Sequence, residues 1–377
     1  MEQKDVQKNP MNAKKVALFI LYAFLAVCLL VTVLSFNDLP SIFEQLRTID
    51  ARYVCLAALS VLIYMALYPL SLCILTKAKG TRVSMPMAYS IAMIEHFFNG
   101  ITPLATGGQP FQAHMFTKAK VKLSESTGLL LTNLIIYFIV TTGFSIVGLV
   151  YADVFVSAAA AWWIPIIVIG YVLNAMVLVV MVLLGTSRRL RSGLVRFLTY
   201  LCKFRIFSFL PPKIESLQAY FEQVQEAFRE LTRKKWSFVL ALISKILSFA
   251  FLYATTFFIL RAMHISVPFA DLCMVLLGTS FAVTAVGFVP TPGASGGVEG
   301  SAGQVFKSII LFVVGSSIVS TASAIANGVM LIWRLLSYYF VMLLSLLFYV
   351  GLELYFSKKA KKETVVPPSD ATDTTAE

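Results

Sequence analysis

The sequence has 377 residues, 58% of them hydrophobic and only 13% charged, against the roughly 25% charge of a soluble domain, so a soluble globular protein is excluded and a polytopic, all-α membrane protein is indicated. The net charge of +12 raises nucleic acid as a partner, but the Lys and Arg residues lie between apolar spans, where cytoplasmic anchoring explains them, and no nucleic-acid partner is expected. Five cysteines occur with no close Cys-x-x-Cys spacing, so they read as small apolar packers rather than a disulfide framework or a metal site, and no cofactor is expected.

Residues 1–15 are polar and basic and form a cytoplasmic N-terminus ahead of the first membrane half, 16–186. Val16 to Phe36 is uncharged and long enough, at about 1.5 Å per residue, to cross the hydrocarbon core. Asn37 to Arg52 mixes charges and is expected outside. A second span from Tyr53 to Thr76 returns to Lys77, Lys79 and Arg82 inside. Ser84 to Asn99 is apolar apart from Glu95 and His96, then T-P-L-A-T-G-G-Q-P breaks any helix, and Lys118, Lys120 and Lys122 follow. Both flanks are basic, so residues 84–122 read as a re-entrant hairpin dipping in from the cytoplasm. Gly128 to Tyr151 crosses outward and Trp162 to Thr186 crosses back.

Residues 187–235 carry a strong basic excess and are cytoplasmic. Within them Ile214, Leu217, Phe221, Val224, Phe228 and Leu231 recur at helical spacing, an amphipathic helix suited to the membrane face or the bundle. The second membrane half, 236–356, opens with Trp236 to Leu260, its outer end marked by Arg261 and His264. Residues 266–314 are expected to enter from outside, turn at T-P-G-A-S-G-G and return. The stretch Ser308 to Phe356 fits two short spans or a return arm plus one long tilted span, and the lysines after it allow one net crossing to a cytoplasmic, disordered tail, 357–377.

The two turn phrases are near copies. Thr102 to Gly108 and Thr291 to Gly297 share five of seven residues, and each follows a matching lead-in, Val83 to Ala88 and Ile265 to Ala270. Repeated Gly/Pro interruptions in corresponding apolar segments point to a transport site in an inverted repeat. The reading is six full spans plus two oppositely facing re-entrant hairpins, in the cytoplasmic membrane with both termini inside.

The glycines Gly107, Gly108, Gly293, Gly296 and Gly297 let the backbone approach a ligand, and a helix starting after such a turn offers amides to phosphate. Tight helix crossing is the plainer use of the same residues. Ionisable groups in apolar spans are costly and therefore suspects: Glu95, Glu299 and Arg334 foremost, then His114, Lys245 and Asp271. Pairing of Glu299 with Arg334 is the plain alternative. Asn99, Thr102, Gln109, Gln112 and Thr291 add neutral hydrogen-bonding groups for a headgroup or for broken backbone. Tyr137, Tyr338 and Tyr339 read as core or interface residues. No catalytic motif appears: no Walker loop, no H-E-x-x-H, no G-x-S-x-G.

From Pro290 to Glu299 the chain reads P-T-P-G-A-S-G-G-V-E, which resembles the signature of the lysylphosphatidylglycerol synthase transmembrane-region family, the flippase half of the bacterial multiple peptide resistance factor. The family's usual form is close to P-x-P-G-G-x-G-x-x-E, with Ala294 standing here at the common second Gly. Asn99 before Thr102-Pro103, Gly107-Gly108-Gln109-Pro110 after them, Arg334 within Ile332 to Leu336, and Gly351 agree as well. The resemblance implies translocation of a phospholipid, aminoacylated phospholipid or polyprenyl-phosphate-linked lipid, with membrane lipids of anionic or modified headgroup as partners, and antibiotic resistance as a setting. It does not imply lysyl transfer, which in the full-length relative belongs to a C-terminal soluble domain, whereas this sequence ends at Glu377 soon after its last span. A lipid-modifying enzyme, alone or with a separate soluble synthase, and a membrane scaffold acting through residues 187–235 are the alternatives; a homo-oligomer is compatible with either.

Overall fold

The computed structural model describes residues 47–157, 162–187, 233–315 and 318–365, with scattered positions between 189 and 229. The expected span Val16 to Phe36, the six apolar positions of the amphipathic helix from Ile214 to Leu231 and the tail beyond residue 365 lie outside the described residues, whereas residues 357–365, expected as part of a disordered tail, continue the last helix. Among the described residues the chain is helical, without strands, and six helical stretches are long and apolar enough to cross a membrane.

The first stretch is α1 (Ala51–Leu67) and α2 (Leu70–Lys79). Asp50 caps α1, its carboxylate accepting the Arg52 N–H at 2.9 Å. Pro69 separates the two helices: it has no N–H to give the Met65 carbonyl, and the Tyr89 hydroxyl takes that carbonyl at 3.0 Å instead. The break leaves Tyr68 at the joint. The next pair, α3 (Met85–Ile101) and α4 (Gly108–Lys118), joins through the first Gly/Pro phrase.

Helix α5 (Leu123–Gly148) continues through a 3-10 turn into α6 (Ala152–Val156). Helix α7 (Trp163–Thr186) lies at the edge, with only 17% of its most apolar window buried, which makes it a lipid-facing span. Helix α8 (Lys235–Ala262) packs along α1 and α2. The second phrase joins α9 (Leu272–Ala285) to α10 (Gly297–Val314). The chain then runs as one interrupted helix, α11 (Val319–Arg334), a π-helical turn (Leu335–Phe340) and α12 (Val341–Val365). Of the two sequence expectations for residues 308–356, the described residues follow the return arm plus one long helix.

Two apolar cores result, one per helical pair. Ile91, Ile94, Met115 and Phe116 from α3 and α4 pack with Leu130 and Ile135 of α5 and with Met342 of α12. Phe281 of α9 and Phe306 and Ile309 of α10 pack with Phe155, Phe257 and Trp333. One polar contact ties α12 to α3 where the cores meet. The Ser345 hydroxyl of α12 donates to the Met93 carbonyl at 2.6 Å and accepts the Phe97 N–H at 2.9 Å, bridging two residues one helical turn apart.

Candidate functional site

The two phrases share the bonds of their first turn and differ after it. In the first, Leu104 and Ala105 are left-handed (φ 55° and 52°); in the second, Gly293 and Ala294 are (φ 61° and 51°). Ala105 and Thr106 donate their N–H groups back to Thr102 and Pro103, and Ala294 and Ser295 donate theirs to Thr291 and Pro292. The Thr106 hydroxyl donates to Pro103 at 3.1 Å, the Ser295 hydroxyl to Pro292 at 2.9 Å. The phrases also touch: Pro103 and Pro292 form an antiparallel bridge.

One buried ion pair holds the second turn. Glu299 accepts Arg334 Nε at 2.7 Å and, through its other oxygen, the Gly296 N–H at 2.6 Å. Arg334 Nη2 donates to the Gly293 carbonyl at 2.9 Å, and the guanidinium carbon lies 4.6 Å from the centre of the Tyr338 ring. The Tyr338 hydroxyl reaches across to the Gly100 carbonyl at 2.9 Å, so a single side chain spans both hairpins. Gly293 has to be glycine: a Cβ there would sit 2.5 Å from that ring, at a φ that L side chains disfavour. The π-helical turn after Arg334 changes the facing of the residues that follow, and such turns are frequent at functional sites.

Arg334 and Tyr338 line a cavity of about 190 Å³ with Thr141, Asn174, Thr284 and Ser337 among its other walls. Of the guanidinium donors, Nη1 has no bond to the described protein, which leaves two N–H groups available on the side chain that lines this space. The volume suits a phosphate-sized group and a few waters at about 30 Å³ each, with acyl chains outside.

A second polar cluster sits in the first hairpin. Glu95, buried on α3, accepts the Tyr68 hydroxyl at 3.2 Å and lies 3.5 Å from both Asn99 Nδ2 and Gln112 Nε2. Lys245 of α8 is fully buried, its Nζ 3.3 Å from the centre of the Tyr68 ring and 3.3 Å from the Tyr68 carbonyl. Among the described residues, no three His, Cys, Asp or Glu side chains gather to hold a metal ion.

A family model described as Lysylphosphatidylglycerol synthase TM region matches residues 15–345. The chain belongs to this family. No curated protein and no solved structure matches it. As a member of the lysylphosphatidylglycerol synthase TM region family with six apolar spanning helices, it is a multi-pass membrane protein concerned with lipid.

In this family member the sequence-predicted residues divide between the two clusters. Glu95, Asn99 and Gln112 gather in the first; Gly293, Gly296, Glu299 and Arg334 gather in the second. The amides expected to meet a phosphate are occupied by the chain itself. Thr102 Oγ1 accepts the Gly107 N–H and Asn99 Oδ1 accepts the Gly108 N–H, both at 2.8 Å, while Glu299 takes that of Gly296. Buried N–H groups demand such partners. Thr291 closes its own turn by donating to the Ser295 carbonyl. Gly297 starts α10 against Val289, and Gln109 is half-buried in the first turn of α4.

His114 is exposed, and Asp271 lies at the start of α9 away from both clusters. Sequence reasoning missed Tyr338, which it assigned to core or interface; the signal was its spacing of four from Arg334. It also missed Tyr68, whose signal was the adjacent Pro69.

Proposed function

We propose that this protein moves a lipid with an anionic or modified headgroup, a phospholipid, aminoacylated phospholipid or polyprenyl-phosphate-linked lipid, across the cytoplasmic membrane. The observation that carries this reading is the meeting of the two repeated turns at Pro103 and Pro292 beside the cavity that Arg334 lines. Irregular backbone at membrane depth is tolerated where it is buried in protein or lines a cavity, and paired broken segments from two repeats are the arrangement of a transport site. The two hairpins then enter from opposite faces. Arg334 Nη1 receives a phosphate oxygen, Glu299 fixes the guanidinium plane, and the acyl chains stay in lipid. Alternating separation of the two turns opens the cavity to each side in turn.

Reconstitution tests this. Purified protein in vesicles should move fluorescent phosphatidylglycerol or lysylphosphatidylglycerol between leaflets. Arg334→Lys keeps the charge but cannot reach Glu299 and the Gly293 carbonyl together, so it should express normally and lose at least about tenfold in rate, the loss of one charge-assisted contact. Wild-type vesicles that move none of these lipids would end the transport reading, and aminoacyl-lipid formed by the isolated chain would make it an enzyme instead.

A further inference from the structure

Two buried acid–base pairs occur among the described residues, and they are built differently. Glu299 and Arg334 are closed to 2.7 Å, and every oxygen of the carboxylate has a donor. Glu95 and Lys245 are equally buried, yet no carboxylate of the described residues lies within ion-pair distance of the Lys245 ammonium. The Tyr68 side chain stands between them, its hydroxyl on Glu95 and its ring face under Lys245. A pair kept for stability closes, because contact is what repays the cost of taking both charges out of water. An open pair keeps that cost, and ionisable groups in apolar spans mark ion pathways and proton relays.

The surroundings favour a group that gains and loses a proton. His96, next to Glu95, has its Nε2 shut off from solvent without a partner, and its ring lies 4.4 Å from that of Tyr68. The titratable groups facing the pair are Tyr64 and Tyr68 of the first span, His96 of α3, Tyr137 of α5 and Tyr253 of α8. Phe249 also lines the cavity beside Arg334, and its ring centre lies within 6.0 Å of those of Tyr64, Tyr68, Tyr137 and Tyr253. Glu95 and His96 lie on the turn of α3 whose Met93 and Phe97 backbone groups Ser345 bridges.

We propose that Glu95, Lys245 and His96 around Tyr68 form a proton-binding site that couples lipid movement to a transmembrane proton gradient. Glu95 takes one proton from one side as an O–H on its carboxylate, leaving the site with the single charge of Lys245, and releases it to the other side when α3 and α8 have moved relative to each other. The inference rests on the transport reading and adds its energy source.

The test uses the full chain in vesicles of phosphatidylethanolamine and phosphatidylglycerol carrying fluorescent phosphatidylglycerol, with a trapped pH dye. Lipid movement is measured first without a gradient, then with one pH unit across the membrane. The expected result is a shift in the leaflet ratio of up to about tenfold per coupled proton, with matching proton flux when a lipid asymmetry is imposed. Lys245→Met, of similar length, and Glu95→Gln should each lose the shift. Movement without a gradient and no shift with one overturns the coupling while the transport reading stands. A shift driven by sodium in place of protons, or an undiminished shift in both variants, overturns it as well. No movement under any condition overturns both readings.

Discussion

At position 293 a single missing methyl decides whether two helices can meet. The Tyr338 ring fills the place a Cβ would take, and the backbone there is left-handed. Gly293→Ala therefore meets both strain and overpacking, at a cost of about 1–3 kcal/mol, and a thermal-shift assay in detergent should show a clear fall in melting temperature. The equivalent residue of the first phrase, Leu104, adopts the same conformation while exposed, with nothing to require its side chain. Leu104→Gly should thus hold or raise stability, gaining up to about 1 kcal/mol from released backbone strain. Opposite signs at equivalent positions would show that Tyr338, and not the turn itself, makes the two phrases unequal. Glu299 and Arg334 as a pair could be read from the sequence, because an acid and a base in neighbouring apolar segments are each costly alone. That the same carboxylate also takes the Gly296 amide could not be, since it depends on a rotamer.

At the scale of the helix, α3 is the element with the most at stake. The Ser345 hydroxyl bridges Met93 and Phe97 on the turn that carries Glu95 and His96. Ser345→Ala removes both bonds, and the Phe97 N–H can then rely on the Met93 carbonyl one turn back. Stability should stay within about 1 kcal/mol of the wild type. Ser345→Val keeps the bulk and removes both hydrogen bonds, crowding a buried donor and acceptor at about 1–3 kcal/mol. A thermal-shift series should rank Ala close to wild type and Val well below it; equal losses would mean that the helix cannot satisfy these two groups by itself. The described spans were legible because hydropathy and length suffice for them, and so were the breaks at the two Gly/Pro phrases, whereas the break at Pro69 inside the expected span Tyr53 to Thr76 was not read. The Ser345 bridge and the π-helical turn were not, because each is a relation between α12 or α11 and a neighbour far away in sequence.

For the molecule as a whole, the duplication was legible as five shared residues in seven, but the contact between the copies was not, since nothing in either phrase names the other as its partner. That contact is the point at which the mechanism is most exposed to test. Pro103 and Pro292 face each other in an antiparallel bridge, and opposed residues that exchange no hydrogen bond of their own, as two prolines cannot, approach to about 4.5 Å between Cα atoms. This spacing falls within the range that a disulfide spans. In a background with Cys28, Cys55, Cys73, Cys202 and Cys273 replaced, Pro103→Cys with Pro292→Cys should cross-link under mild oxidation, seen as a faster-migrating band that reduction reverses. If transport needs the turns to separate, the oxidised protein should move lipid at a small fraction of its reduced rate and recover on reduction, whereas either single cysteine should be indifferent to oxidant. Full transport by the cross-linked protein would end the alternating mechanism, because a site that works with its two halves tied together cannot depend on their parting.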